Sequence, residues 1–226
     1  MKSVDSIIMA VKDGSIIINT RSEDASQISN IAYTTDIVSV NGDIDKFGIY
    51  NLTEFISVLT LSDAKSLELE VAGNLLTIHY GDKARIDYIL SDLTLITEGP
   101  TDLKAKVDFV ASFTVTSDFI KKVKSISATI GASILKIKGE AGNLSYSIVN
   151  KNNQSHSYTE KISEENMPDT EDFEVSISIR DDKRDNFGFL YENCNYVFSI
   201  NSKIIKIEGE TTEYGMLRYF LAPLAV

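Results

Sequence analysis

The sequence predicts an α+β protein of two pseudo-repeated domains, each with antiparallel sheets and two helices. Three observations predict it. Short runs of β-branched and aromatic residues fill most of the chain, turn signals separate them, and one order of elements recurs along it.

Taken in order, residues 2–12 favour a helix, and 15–20 (SIIINT) a strand. A second helix is expected at 52–59 with Asn51 as its N-cap, because Leu52, Phe55, Ile56 and Leu59 fall at i, i+3, i+4 and i+7. Strands follow at 66–71 (SLELEV), 75–80 (LLTIHY) and 86–90, with turns at Ala72-Gly73-Asn74 and Gly81-Asp82. Residues 91–106 (SDLTLITEGPTDLKAK) contain Gly99-Pro100 and little periodicity, and read as a connector. Domains are expected at 1–95 and 108–226, joined by 96–107.

In the second domain a helix at 118–126, with Ser117 as N-cap, aligns Phe119, Ile120, Val123 and Ile126 in one stripe. Strands at 134–138 (ILKIK), 144–149 (LSYSIV) and 174–179 (EVSISI) come next. A helical segment at 182–190 precedes strands at 196–200 (YVFSI) and 203–208 (KIIKIE). The repeat is explicit: Phe55-Ile56 leads to SLELEVAGNL and Phe119-Ile120 to SILKIKGEAGNL, so that Ala-Gly-Asn-Leu stands at 72–75 and 141–144.

Composition narrows the class. An apolar fraction of 43% in 226 residues supplies real cores and excludes wholesale disorder. No run of about 18 apolar residues exists to span a bilayer, and the N-terminus lacks the pattern of a secretory signal. Cys194, the one cysteine, cannot close an intrachain disulfide, which fits a reducing compartment. A cytoplasmic protein is expected, and the sequons at Asn51, Asn143 and Asn153 then read as chance matches in polar turns.

A net charge of −11 opposes nucleic-acid binding if it is spread evenly. It is not. Lys2, Lys12, Lys121, Lys122, Lys124, Arg180, Lys183 and Arg184 lie on or beside the four helical segments, against Asp5, Glu54, Asp118, Asp181, Asp182 and Asp185. Those segments therefore carry +2, and the remainder −13. A cluster such as Lys121, Lys122 and Lys124 is, taken alone, most often a solvated face. Repeated around a shared surface it would attract duplex DNA while the acidic body repels it. Lysine suits contact with phosphates that reads no bases.

Two segments carry a resemblance. FGIYNLTEFISVLTL at 47–61 resembles the strand-to-helix segment of sliding clamps from T-even-type phages and their cyanophage relatives. LRYFLAP at 217–223 is similar to that clamp terminus and to the LKYYLAP ending of proliferating cell nuclear antigen. The resemblance implies the DNA clamp fold: a head-to-tail homotrimeric ring with helices inside and sheets outside. It also implies a processivity factor that encircles double-stranded DNA independently of sequence. The implied partners are a DNA polymerase C-terminal peptide, a clamp loader ATPase and late-transcription factors, with no membrane.

Lys2, Lys12, Lys121, Lys122, Lys124, Lys183 and Arg184 would face DNA. By motif position Phe220, Ala222 and Pro223 would wall the partner-peptide pocket, with Leu93, Leu95 and Ile96 of the connector beside them and the apolar residues 224–226 contributing. No catalytic residue, cofactor or metal is implied. Two departures stand out: the first helix is shorter than in the phage clamps, and the fourth helical segment carries as much acid as base.

Other signals are weak. His79, His156 and Cys194 have no metal-ligand spacing and form no expected catalytic pair. Asp181, Asp182 and Asp185 with Gly188 lack the spacing and terminal glutamate of a calcium loop. There is no glycine loop to cradle phosphate. The acidic run 160–174 reads as a solvated loop or a repulsive outer rim. The alternative function is a phage structural or acidic DNA-mimic protein that binds a basic partner. Binding of a polymerase C-terminal peptide separates the two.

Overall fold

The computed structural model describes residues 4–12, 15–22, 25–34, 38–41, 45–61, 67–81, 84–103, 106–150, 156–162, 172–181, 184–185, 187, 190, 193–209 and 215–224. The chain forms two compact units: Lys2–Leu103 with Thr212–Leu217, and Lys104–Thr211 with Arg218–Val226.

The N-terminal unit contains β1 (Ile7–Lys12), β2 (Ser15–Arg21), β3 (Gln27–Thr34), β4 (Val38–Asn41), β5 (Lys46–Ile49), α1 (Leu52–Leu59), β6 (Leu67–Ala72), β7 (Leu75–His79) and β8 (Arg85–Ile89). Strands β5, β1, β2 and β3 lie side by side in that order, as do β4, β6, β7 and β8. The helix expected at 2–12 does not form: its described part carries β1, and residues 1–3 lie outside the described set. Ile7, Ile8 and Val11 are β-branched, and both edges of the strand find partners. Met9 sits opposite Ile18 on β2 and Phe47 on β5. Cross-strand packing on both sides overrides a short helical pattern.

Helix α1 forms where expected, with the Asn51 side chain accepting the Glu54 N–H at 3.1 Å. Two turns are marginal alone, and Phe55 anchors them. It packs into a core of Ile7, Phe47, Ile49, Leu76 and Ile78 and meets Tyr88 edge-to-face at 5.4 Å. Ile56, expected on the buried stripe, is 51% exposed.

The C-terminal unit contains β9 (Ala111–Val115), α2 (Ser117–Ile130), β10 (Ile134–Glu140), β11 (Asn143–Val149), β12 (Ser157–Ile162), β13 (Phe173–Ser178), β14 (Arg180–Asp181), β15 (Arg184–Asp185), β16 (Tyr196–Ile200), β17 (Ile205–Gly209) and β18 (Met216–Leu221). Its sheets run β18-β17-β16-β9 and β12-β11-β10-β13, with β14 paired to β15. Thr116, not Ser117, caps α2, accepting the Phe119 N–H at 3.4 Å. Either hydroxyl could cap, and the helix begins one residue earlier than the apolar stripe suggests. Ile120 and Val123 are fully buried, and Phe119 meets Tyr146 on β11 at 4.9 Å and Phe198 on β16 at 6.5 Å.

No helix occurs at 182–190 among its described residues, where Arg184–Asp185 is a strand. Clustered Asp, Asn and Gly favour local turns over a helix, which is the physical reason. Two helices per domain are therefore corrected to one in each unit among the described residues. Part of the acidic run 160–174 is likewise strand, because β12 ends at Ile162. Its remainder up to residue 171 lies outside the described set.

The two Ala-Gly-Asn-Leu segments both join the strand pair that follows a helix, but one residue out of phase. Ala72 pairs with Leu75, leaving Gly73-Asn74 as the loop, with only Gly73 at positive φ. Glu140 pairs with Asn143, leaving Ala141-Gly142, both at positive φ. The first pattern fits a II′ turn and the second I′. The repeated letters mark the same hairpin and not the same turn.

Candidate functional site

Helix α2 divides sharply by face. Ile120, Val123 and Ser127 are buried, whereas Lys121, Lys122, Ser125, Ala128 and Thr129 are exposed and Lys124 is half-buried. The three lysines differ in what holds them. Lys122 Nζ stands 2.6 Å from Glu160 Oε2 and 5.5 Å from the Tyr158 ring centre. Lys124 Nζ donates to the Leu190 carbonyl at 3.1 Å. Lys121 makes no hydrogen bond or ion pair among the described residues and is exposed.

Glu160 is the centre of a network. Its carboxylate accepts from Lys122, from the Tyr158 hydroxyl at 2.9 Å and from the Tyr146 hydroxyl. These donors hold its pKa at about 2, Lys122 contributing most, and Glu160 in turn raises that of Lys122. Burial, then Glu160, pushes the Tyr146 hydroxyl up. The network ties the exposed face of α2 to β11 and β12. No element is expected from the sequence at SYTEKI (157–162), and its partners Lys122 and Tyr146 are remote along the chain. The alternation of Tyr158, Glu160 and Ile162, all half-buried, was the available signal.

Because folding lowers the Glu160 pKa from 4.5 to about 2, its contribution to stability is complete above 4.5 and lost as pH falls from there towards 2. Thermal unfolding of wild type and Glu160→Gln should therefore differ most near neutrality, narrow through pH 3 and converge near pH 2. A gap that persists unchanged at pH 3 counts against this network.

The other basic residues are dispersed. Lys12 is exposed at the end of β1 in the N-terminal unit. Arg184 is in β15, while Lys2 and Lys183 lie outside the described residues.

In the N-terminal unit, Leu93–Leu95 form a 3₁₀ turn capped by Asp92, which accepts from the Thr94 N–H at 2.9 Å and its hydroxyl at 2.8 Å. These bonds hold the Asp92 carboxyl below its ordinary range. Leu95 points outward, 68% exposed; Leu93 is 37% exposed with its side chain beside Gly48, and Ile96 is buried. Leu95 and Thr97 also line a cleft of about 320 Å³ with Val4, Asp5, Ser6, Arg21 and Ser22. In the C-terminal unit Phe220 is buried, Ala222 is exposed and Pro223 is half-buried. The Leu224 N–H donates to the Ser176 carbonyl on β13 at 2.8 Å, and residues 225–226 lie outside the described set. Among the described residues no cluster of His, Cys, Asp and Glu could hold a metal ion, and no helix is long and apolar enough to cross a membrane.

The architecture has well-matched counterparts. A. fulgidus PCNA, solved with the C-terminal region of FEN-1 bound, superposes with a TM-score of 0.75 over 99% of this chain and 91% of that one, at 12% identity. The PCNA2–PCNA3 complex from Sulfolobus tokodaii gives 0.68 over 97% and 90%, at 16% identity. The chain has the DNA clamp fold. In sequence it is similar to the sliding clamp of Vibrio phage KVP40, 26% identical over 185 residues, covering 80% of this chain and 77% of the relative. No family model matches it.

Proposed function

We propose that the chain is a subunit of a phage sliding clamp: a homotrimeric ring that encircles duplex DNA without reading sequence and tethers a replicative DNA polymerase. The observation that carries this reading is kinship with a phage sliding clamp along most of a chain that has the clamp fold throughout. The protein acts as a scaffold and not as an enzyme, and ATP is hydrolysed by a separate clamp loader. It works in the host cytoplasm, where late-transcription factors can share the same ring.

On the DNA side, Lys121 is the lysine of α2 best placed for phosphate, being exposed and uncommitted. Lys124 adds positive potential from a position held by the Leu190 carbonyl, and Lys122 is a further DNA-facing candidate whose charge Glu160 largely offsets. Lys2, Lys12, Lys183 and Arg184 are further DNA-facing candidates. Ring closure needs heterologous contacts that repeat head to tail. Two outer strands suit it: β8 in the N-terminal unit and β12 in the C-terminal unit.

For partner peptides, Leu93, Leu95 and Ile96 on one segment and Phe220, Ala222 and Pro223 on another are the proposed contacts. Only some can be tested cleanly. Phe220 is 3% exposed, so Phe220→Ala would cost roughly 3–5 kcal/mol of folding free energy and confuse the result. Leu95, at 68% exposure, can be changed with a stability effect within about 0.5 kcal/mol.

The deciding experiment pairs light scattering with titration of the cognate polymerase's C-terminal peptide. A three-subunit mass with peptide binding is expected, and Leu95→Asp should weaken that binding by roughly tenfold, about 1.4 kcal/mol. A wild-type protein that stays monomeric and ignores the peptide would instead favour the acidic DNA-mimic reading.

A further inference from the structure

In the N-terminal unit the chain after β8 runs back over β2 and is fastened there. The Gly99 N–H donates to the Asn19 carbonyl at 3.1 Å. The Asn30 side-chain amide donates twice, to the Pro100 carbonyl at 2.8 Å and to Asn19 Oδ1 at 2.9 Å. Gly99 lies so close to β2 that a Cβ there would meet the Thr20 carbonyl oxygen at 2.4 Å and its nitrogen at 2.8 Å. Both are backbone atoms, so no side chain can swing aside.

The fastening is polar where an apolar one would be cheaper. Asn19 and Asn30 are 5% and 2% exposed, and Asn30 Oδ1 has no hydrogen-bond partner among the described residues. A half-satisfied buried amide carries a desolvation cost that an apolar side chain of the same shape avoids. What the amide does provide is a donor aimed at Pro100. Just upstream, Asp92 fixes the turn that leaves Leu95 outward, with Leu93 partly exposed beside Gly48 and Ile96 tucked against it. The segment is thus pinned at both ends, with Leu95 largely and Leu93 partly presented between the pins.

We propose that Asn30 is a positioning residue: with Asn19 and Gly99 it clips residues 93–100 in the conformation that offers Leu93 and Leu95 to a partner peptide. This rests on the docking role proposed above for that segment. An unclipped segment samples other conformations, and affinity falls in proportion to the fraction that stays competent.

The test compares Asn30→Leu and Gly99→Ala with Leu76→Ala, a core variant on β7 that lowers stability without touching the clip. Amide hydrogen exchange of residues 93–100 and affinity for the polymerase C-terminal peptide are both measured. In the two clip variants, exchange at Leu95, Ile96 and position 99 should quicken and affinity fall about tenfold. In Leu76→Ala the affinity should stay near wild type. Wild-type affinity in the clip variants despite faster exchange overturns the clip while leaving the docking role intact, and so does an equal loss in Leu76→Ala. A wild-type protein that binds no peptide overturns the docking role and the clip with it.

Discussion

Lys121→Glu is expected to leave the three-subunit mass and the melting temperature unchanged while lowering polymerase stimulation on loaded templates by roughly tenfold. The side chain is exposed and uncommitted, so the fold does not depend on it. Its loss is repeated in every subunit, where it replaces attraction to phosphate with repulsion. Salt should expose the mechanism. Each phosphate contact removed flattens the logarithmic salt dependence by about 0.9, so the gap between variant and wild type narrows as salt rises.

Lys122→Glu should behave differently. It sets a second carboxylate against Glu160, whose two tyrosine donors hold it ionised, and like charges that close cannot both be accommodated. That variant is expected to melt several degrees lower as well as to stimulate poorly. Wild-type stimulation by Lys121→Glu at both low and high salt would remove α2 from the DNA surface. An unshifted melting temperature in Lys122→Glu would reduce its ion pair to an ordinary surface contact.

What sequence could and could not reveal divides along physical lines. Strands with strict alternation, such as ILKIK on β10 and LLTIH on β7, were legible because one face is buried. So was α1, whose cap and anchor are both local. β1 was misread since Ile-Ile-Met-Ala-Val has no alternation of its own, and its strand state comes from partners β2 and β5. β3 (QISNIAYT) escaped notice for a related reason: its buried positions include Ser29 and Asn30, which look like turn residues until their partners are known.

The candidate site followed the same rule. The lysine cluster of α2 could be read from one stretch of sequence, but its division of labour could not. Glu160 and Leu190 are remote in sequence from the lysines they hold, by 38 and 66 residues. Composition placed the acid in strands and loops, whereas one of those acids turns out to grip the basic helix.

Ile89→Lys is expected to convert the proposed trimer into monomers at micromolar concentration with little change in subunit stability. Among the described residues β8 is the outer strand of its sheet, paired on its inner side alone through Leu75↔Ile89 and Leu76↔Tyr88. Ile89 is 74% exposed there. A bare edge carrying an exposed isoleucine is an aggregation hazard unless something covers it. In the other unit β13 is partly covered by the Leu224 N–H, while β12 is the outer strand at the opposite side of that sheet. β12 is also held firm from within, because Glu160 and Tyr158 are bound to α2. A firm outer strand on one subunit and, on the next, an outer strand that exposes Ile89 between polar positions such as Asp87 would be complementary halves of a head-to-tail contact. Covering one isoleucine is worth about 2 kcal/mol, roughly thirtyfold in each contact, and a lysine there adds its own desolvation. Since the proposed ring needs every contact at once, the loss compounds. Ile56→Lys supplies the contrast, as Ile56 is 51% exposed on α1 and lies on no sheet edge, so its mass should stay that of three subunits. If Ile89→Lys keeps the trimeric mass across dilution, β8 is not the closing edge.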